Sequence, residues 1–189
     1  MASRELLVET EYCVLRYRRG QKDALEKLVQ LWEKPLYYYV RRLVVAQEEA
    51  GDLAQEIWVK VILKLNTLRD PAAFPAWLYR LARRHVFSHL RKTRPFELPE
   101  EVHADTSLNA AGEDVLSSRL NAEEVHWGLS QLSLAHRDCL TLHFLEGFPL
   151  EEISRIIGVP VGTVKSRMHY AKQALREVLE KERECHEQR

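Results

Sequence analysis

Residues 148–176 read FPLEEISRIIGVPVGTVKSRMHYAKQALR, and their spacing predicts two helices joined by a tight turn. Leu150, Ile153, Ile156 and Ile157 give one apolar face at helical spacing. Pro149 suits a first helical position, where no N–H is missed. Glu151 and Glu152 then lie in the first turn, where negative charge complements the helix dipole. Gly158 follows the last apolar residue and suits the left-handed conformation that ends a helix. Pro160 restarts the chain, and Val164, Met168, Ala171 and Leu175 carry the apolar stripe of a second helix. Thr163, Lys165, Ser166, Arg167, His169 and Lys172 are expected to face outward, with no acid between Glu152 and Glu177. A helix-turn-helix sets such a second helix into the major groove of DNA. Spacing alone leaves a plain helical hairpin with a solvated basic face equally open.

Outward from this stretch, the chain reads as helical throughout. Val125, Leu129 and Leu132 lead into Ser133, a plausible N-cap, and Leu140, Leu142, Phe144 and Leu145 supply core before Gly147. Glu180 to Arg189 is a charged tail expected to fray. Upstream, residues 95–121 break helical period with Pro95, Pro99, Gly112 and a run of small or acidic residues. Between Glu97 and Glu124 eight acids face only Arg119. Before them, from Pro71 to Phe96, there is no acid at all. That basic block carries Phe74, Trp77, Leu78, Leu81, Ala82, Val86 and Leu90 as its stripe, and its polar residues include Arg80, Arg83, Arg84, His85, His89, Arg91 and Lys92. Aromatic rings interleaved with cations suit single-stranded DNA, whose bases stack while its phosphates pair. Phe74 and Trp77 also start the apolar stripe, so a core role reads first for both. Asp70-Pro71 is a helix start signal. A block after Gly51 has Leu53, Ile57, Val61 and Leu65 as its stripe, Trp58 and Ile62 beside it, and Asp52 as its cap. The first helical block runs from about Lys22 to Val45, with Pro35 predicting a kink or break. Tyr37, Tyr38 and Tyr39 are consecutive, so at least one must reach solvent or a partner.

The fold class expected is all-α: two small helical domains, 1–94 and 122–189, joined by an acidic flexible linker over 95–121, with a helix-turn-helix in the second. Composition agrees, since 46% of the 189 residues are hydrophobic while glycine and proline number only 7 each. The formal net charge is +0, unusual for a DNA binder, but the charge is segregated along the chain. Cys13, Cys139 and Cys185 are far apart and odd in number, which argues against a disulfide framework or structural zinc and suits a reducing cytosol. No signal peptide and no run long enough to span a bilayer is evident.

Residue identities go further than spacing. GVPVGTVKSRM, residues 158–168, resembles the segment that closes the promoter-reading helix in bacterial sigma factors of the extracytoplasmic-function (ECF) group. AGDLAQEIWVKVILKL, residues 50–65, resembles the segment by which sigma factors dock on the polymerase core. FPAWLYRLARRHVFSHLRK, residues 74–92, resembles the adjoining segment that melts and reads the promoter −10 element. The order of the segments is the family's order. The resemblance implies that core RNA polymerase is bound through Asp52, Gln55 and Glu56. It implies that Trp77, Arg80, Arg83, Arg84, Ser88, Arg91 and Lys92 capture the single-stranded −10 element. It implies that Thr163, Lys165, Ser166, Arg167, His169 and Lys172 meet the duplex −35 element. By the same analogy the Asn66–Ala73 loop would hold a flipped base, and the linker would thread the polymerase. The family often has Asn where Arg84 stands and Asp where Ser88 stands, which leaves the preferred −10 sequence open. The implied protein is cytoplasmic, not an enzyme, needs no cofactor or metal, and belongs to a group often held by an anti-sigma factor.

Two other classes compete. A stand-alone helix-turn-helix activator or repressor would need a dimer interface and leaves the aromatic-basic block unexplained. An enzyme would have to use His136 and Cys139, three apart on a helix, but no third group or oxyanion device accompanies them. His85 and His89 have metal-ligand spacing without a third ligand, so a basic surface is the better reading.

Overall fold

The computed structural model describes residues 3–44, 46–93 and 122–187, and among them there are helices and turns but no strand. The expected linker over 95–121 lies outside the described residues. The N-terminal unit comprises α1 (Arg4–Arg18), α2 (Asp23–Leu43), α3 (Gln47–Lys64) and α4 (Phe74–Thr93), with single 3₁₀ turns at Leu65–Thr67 and Pro71–Ala73. The C-terminal unit comprises α5 (Ala122–Ser130), α6 (Leu134–Leu140), a π-helical turn at Thr141–Leu145, α7 (Leu150–Ile157) and α8 (Val161–Glu187).

The apolar stripe of α2 does most to organise the first unit. Leu28, Trp32, Leu36, Tyr39, Val40 and Leu43 are all buried, against α1, α3 and α4. Trp32 meets Phe74 and Tyr79 edge-on, and its indole N–H donates to Thr10 Oγ1 at 2.9 Å, which satisfies a polar atom that burial would otherwise strand. Pro35 removes one backbone bond, yet α2, 21 residues long in all, runs through it without breaking. Of the three tyrosines Tyr39 is buried and Tyr38 is exposed, as consecutive positions on a helix require.

Several boundaries differ from the sequence expectation. Helix α1 was not foreseen; Ser3 caps it by accepting from Leu6 N–H at 3.1 Å, and Thr10, Cys13 and Val14 bury its inner face. Helix α3 begins at Gln47, one turn before Gly51, so Asp52 lies inside the helix and does not cap it. Glu48 and Glu49 supply the first-turn charge instead. Pro149 occupies the cap of α7, one residue before the position expected. Phe144 and Leu145 are exposed rather than core, because the π-helical turn carries them outward while Thr141 and Leu142 point in. The charged tail is helical as far as Glu187.

The start and stop signals otherwise act as the sequence indicates. Asp70 accepts from Ala72 N–H at 3.1 Å, with Pro71 at the first position of the turn that leads into α4. Ser133 accepts from His136 N–H at 3.3 Å and starts α6. Gly158 sits at φ +83° and closes α7 by donating its N–H to the Ser154 carbonyl at 2.8 Å.

Candidate nucleic-acid interface and docking face

Three helical faces follow from this packing. On α3, Leu53, Ile57 and Val61 point into the core, as does Leu65 just past its end, which turns Asp52, Gln55 and Glu56 to solvent. The same outward stripe runs on through Val59, Ile62 and Leu63, which are 57%, 41% and 75% exposed. Apolar side chains thus stand bare beside acids on this face. Sequence periodicity placed Ile62 next to the core and passed over Val59 and Leu63.

On α4 the stripe Phe74, Leu78, Ala82, Val86 and Leu90 is buried, which exposes Arg80, Arg84, Ser88, Arg91 and Lys92 along the opposite side. Trp77 is half-buried beside Phe74, ring centroids 5.9 Å apart, so it combines a core edge with an open face. Two histidines tie this helix to α3: His85 Nε2 lies 2.7 Å from Glu56 and His89 Nε2 lies 2.7 Å from Glu49. Burial lowers the His85 pKa and nearby Lys60 adds to this, while Glu56 opposes both. Glu56 therefore belongs to the α3 face and to the α4 clip at once. Among the described residues no cluster of three or more His, Cys, Asp or Glu could hold a metal ion.

In the helix-turn-helix, Lys165 and His169 are exposed, and Thr163 and Lys172 are half-buried. Ser166 and Arg167 are 7% and 6% exposed, which corrects the expectation that both face outward. Arg167 stands three residues after Val164 and four before Ala171, so it lies on the buried side of α8, against α6. Its charge reaches His136 and Asp138 there. Ser166 Oγ donates back to the Thr163 carbonyl at 3.1 Å. Tyr170, 40% exposed and edge-on to His169, joins the outward face and was missed because an aromatic residue reads as core.

Arg83 is also displaced from the face expected of it. It is 9% exposed, and its Nε donates to Asp138 of α6 at 2.6 Å. Its guanidinium lies 4.0 Å from the centre of the Phe87 ring, and Nη1 reaches the Ile157 carbonyl at 3.5 Å. Asp138 is wholly buried and accepts a second bond, from Tyr39 O–H, at 2.8 Å. Burial pushes its pKa up, against the pull of Arg83, Tyr39 and Arg167. Glu146 repeats the pattern, accepting from Tyr79 O–H and from Arg42 Nη1 at 3.5 Å. Arg137 reaches the other way: Nη1 donates to the Arg42 and Leu43 carbonyls at the end of α2, and Nη2 to Ser130 and Leu132. The two units are thus joined through buried polar groups. His136 and Cys139 form no reactive pair, since burial pushes the Cys139 thiol up to about 12.

Comparison with known proteins fits this arrangement. Residues 28–96 match Sigma-70 region 2, and residues 128–177 match Sigma-70 region 4. The RNA polymerase sigma-H factor of Pseudomonas aeruginosa is 32% identical over 183 residues, covering 91% of this chain and 94% of the relative. The chain belongs to the RNA polymerase sigma factor family, in the ECF group. The ECF RNA polymerase sigma factor SigW of Bacillus subtilis is 28% identical, covering 88% of this chain and 94% of the relative. Among solved structures, the fold resembles the sigma factor RpoE of Bartonella quintana, determined with the anti-sigma factor NepR. The TM-score is 0.65 at 24% identity, over 82% of this chain and 96% of that one. It also resembles CnrH, determined with the cytosolic domain of CnrY, at TM-score 0.67 and 19% identity, over 91% and 97% of the two chains. As a sigma factor it binds core RNA polymerase and directs it to specific promoters. No helix among the described residues is long and apolar enough to cross a membrane.

Proposed function

We propose that the work of this sigma factor divides at the linker. Residues 1–94 bind core polymerase and open the −10 element, residues 122–189 read the −35 element, and 95–121 connect them. The observation that carries this reading is the presence of two separate cationic helical faces, one on α4 and one on α8, beside an acidic and apolar face on α3. Polymerase docks on Asp52, Gln55 and Glu56 and on the bare side chains of Val59, Ile62 and Leu63. Arg80, Arg84, Arg91 and Lys92 hold phosphates of the non-template strand, Trp77 offers a stacking surface, and Ser88 hydrogen-bonds a base or phosphate. Lys165, His169, Thr163 and Lys172 meet the −35 duplex, with Tyr170 beside them. The buried Ser166 and Arg167 set the pose of α8 on α6 rather than reading bases.

The relatives are sigma factors, which are not enzymes, and this chain acts without chemistry of its own, in the cytoplasm where its polymerase is. A neighbour of the same fold was solved with an anti-sigma factor, and a protein of that kind holds this chain inactive. Transcription reconstituted from core polymerase, this chain and a promoter library tests the whole reading. Start sites that appear only when the chain is added support it. No chain-dependent start on any template would overturn it.

A further inference from the structure

Asp138 occupies an unusual place. Its carboxylate is the buried junction of three helices, with Tyr39 of α2 and Arg83 of α4 bound directly and Arg167 of α8 close enough to act on its charge. Arg83 and Arg167 belong to opposite units, so Asp138 binds a guanidinium from one and lies within the charge field of a guanidinium from the other. An apolar contact would join the units with less desolvation. A buried ion pair instead enforces one geometry while holding it only moderately, because the attraction between the charges is largely offset by the loss of their hydration. Arg83 also stands between Arg80 and Arg84 in sequence, and of these three cations only Arg83 is turned away from the exposed α4 face.

We propose that Asp138 is the exchange point of an intramolecular latch. In the free chain it binds Tyr39 and Arg83, keeps the two units closed and withholds Arg83 from nucleic acid. When the units part, Arg83 is released to the DNA backbone, and Asp138 keeps Arg167 of its own unit as counter-ion. The opening therefore leaves no buried carboxylate without a cation, which is the usual obstacle to breaking such a pair. The second junction, Tyr79 and Arg42 on Glu146, closes and opens with the first. The release of Arg83 rests on the proposed −10 role of α4; the closure does not.

The test uses the full free chain in a Cys185→Ser background, with donor and acceptor dyes on Glu26→Cys of α2 and Glu180→Cys of α8. The unmodified latch gives high energy transfer. Asp138→Asn lowers the transfer and tightens binding of a single-stranded −10 oligonucleotide by about threefold or more, the effect of one added cation–phosphate contact. Tyr39→Phe, which removes one donor and no charge, shifts transfer the same way by less. If Asp138→Asn loses its native circular dichroism, the double variant Tyr39→Phe, Tyr79→Phe carries the transfer measurement. Unchanged transfer in a folded variant overturns the latch. Lowered transfer without tighter oligonucleotide binding overturns the release of Arg83. Neither result depends on transcription, so failure here is distinct from failure of the sigma-factor assignments.

Discussion

Gly158 turns the chain between α7 and α8 at φ +83°, with nothing within 4 Å of where a Cβ would stand. The cost of a side chain there is therefore all backbone. Gly158→Ala should lower the unfolding free energy by about 1–2 kcal/mol in denaturant titration. Gly51, inside α3 and equally unobstructed, should respond oppositely, with Gly51→Ala gaining about 1 kcal/mol of stability. Effects of the same sign would contradict the left-handed turn. On the recognition helix the contrast is between neighbours. Lys165→Ala should leave stability nearly unchanged and reduce the salt slope of promoter binding by about 0.9, one phosphate contact. Arg167→Ala should instead lower the melting temperature, because it strips a cation from the buried surroundings of Asp138 and His136. A salt slope untouched by Lys165→Ala would remove that residue from the DNA face.

At the scale of the element, α3 shows what periodicity reveals and what it leaves hidden. Its inward stripe and the stripe of α4 are written in the sequence, because apolar residues three and four apart must share a face. The turn at Gly158 and the caps Ser133 and Asp70 were legible for the same local reason. The outward stripe Val59, Ile62 and Leu63 was not, since a helix apolar on two sides does not say which side its own fold covers. Leu63→Asp should therefore leave thermal stability within about 0.5 kcal/mol of wild type, yet weaken binding to core polymerase by about tenfold or more. A loss of stability with unchanged polymerase affinity would make Leu63 a structural residue. The burial of Arg83 and Arg167 was hidden for a different reason. Each is decided by a partner distant in sequence, Arg83 by Asp138 and Arg167 by the packing of α6, and local pattern carries no such pairing. Helix α1 lacked a strong apolar stripe, and the contact that anchors it, Thr10 with Trp32, is likewise non-local.

For the whole molecule, histidine burial gives a pH dependence of definite sign. Burial lowers the His136 pKa below its ordinary 6.5, with Arg167 adding to the shift. As pH falls below 6.5 the unfolded chain takes up a proton that the folded chain resists, so stability is lost through that window and regained above it. The difference in unfolding free energy between wild type and His136→Gln should be constant above about pH 7 and should shrink on acidification toward about pH 5.5. A constant difference would mean that His136 titrates alike in both states. In the proposed function, two basic faces on one small molecule hold an opened strand and a duplex while polymerase carries both. Site-specific photocrosslinking from a probe at Ser88 and another at His169, in complex with core polymerase and promoter, tests this most directly. The account predicts adducts from Ser88 on the non-template strand of the −10 element and from His169 on the duplex −35 element, within the same complex. Adducts from both probes on one DNA segment, or none from Ser88 on opened DNA, would contradict it.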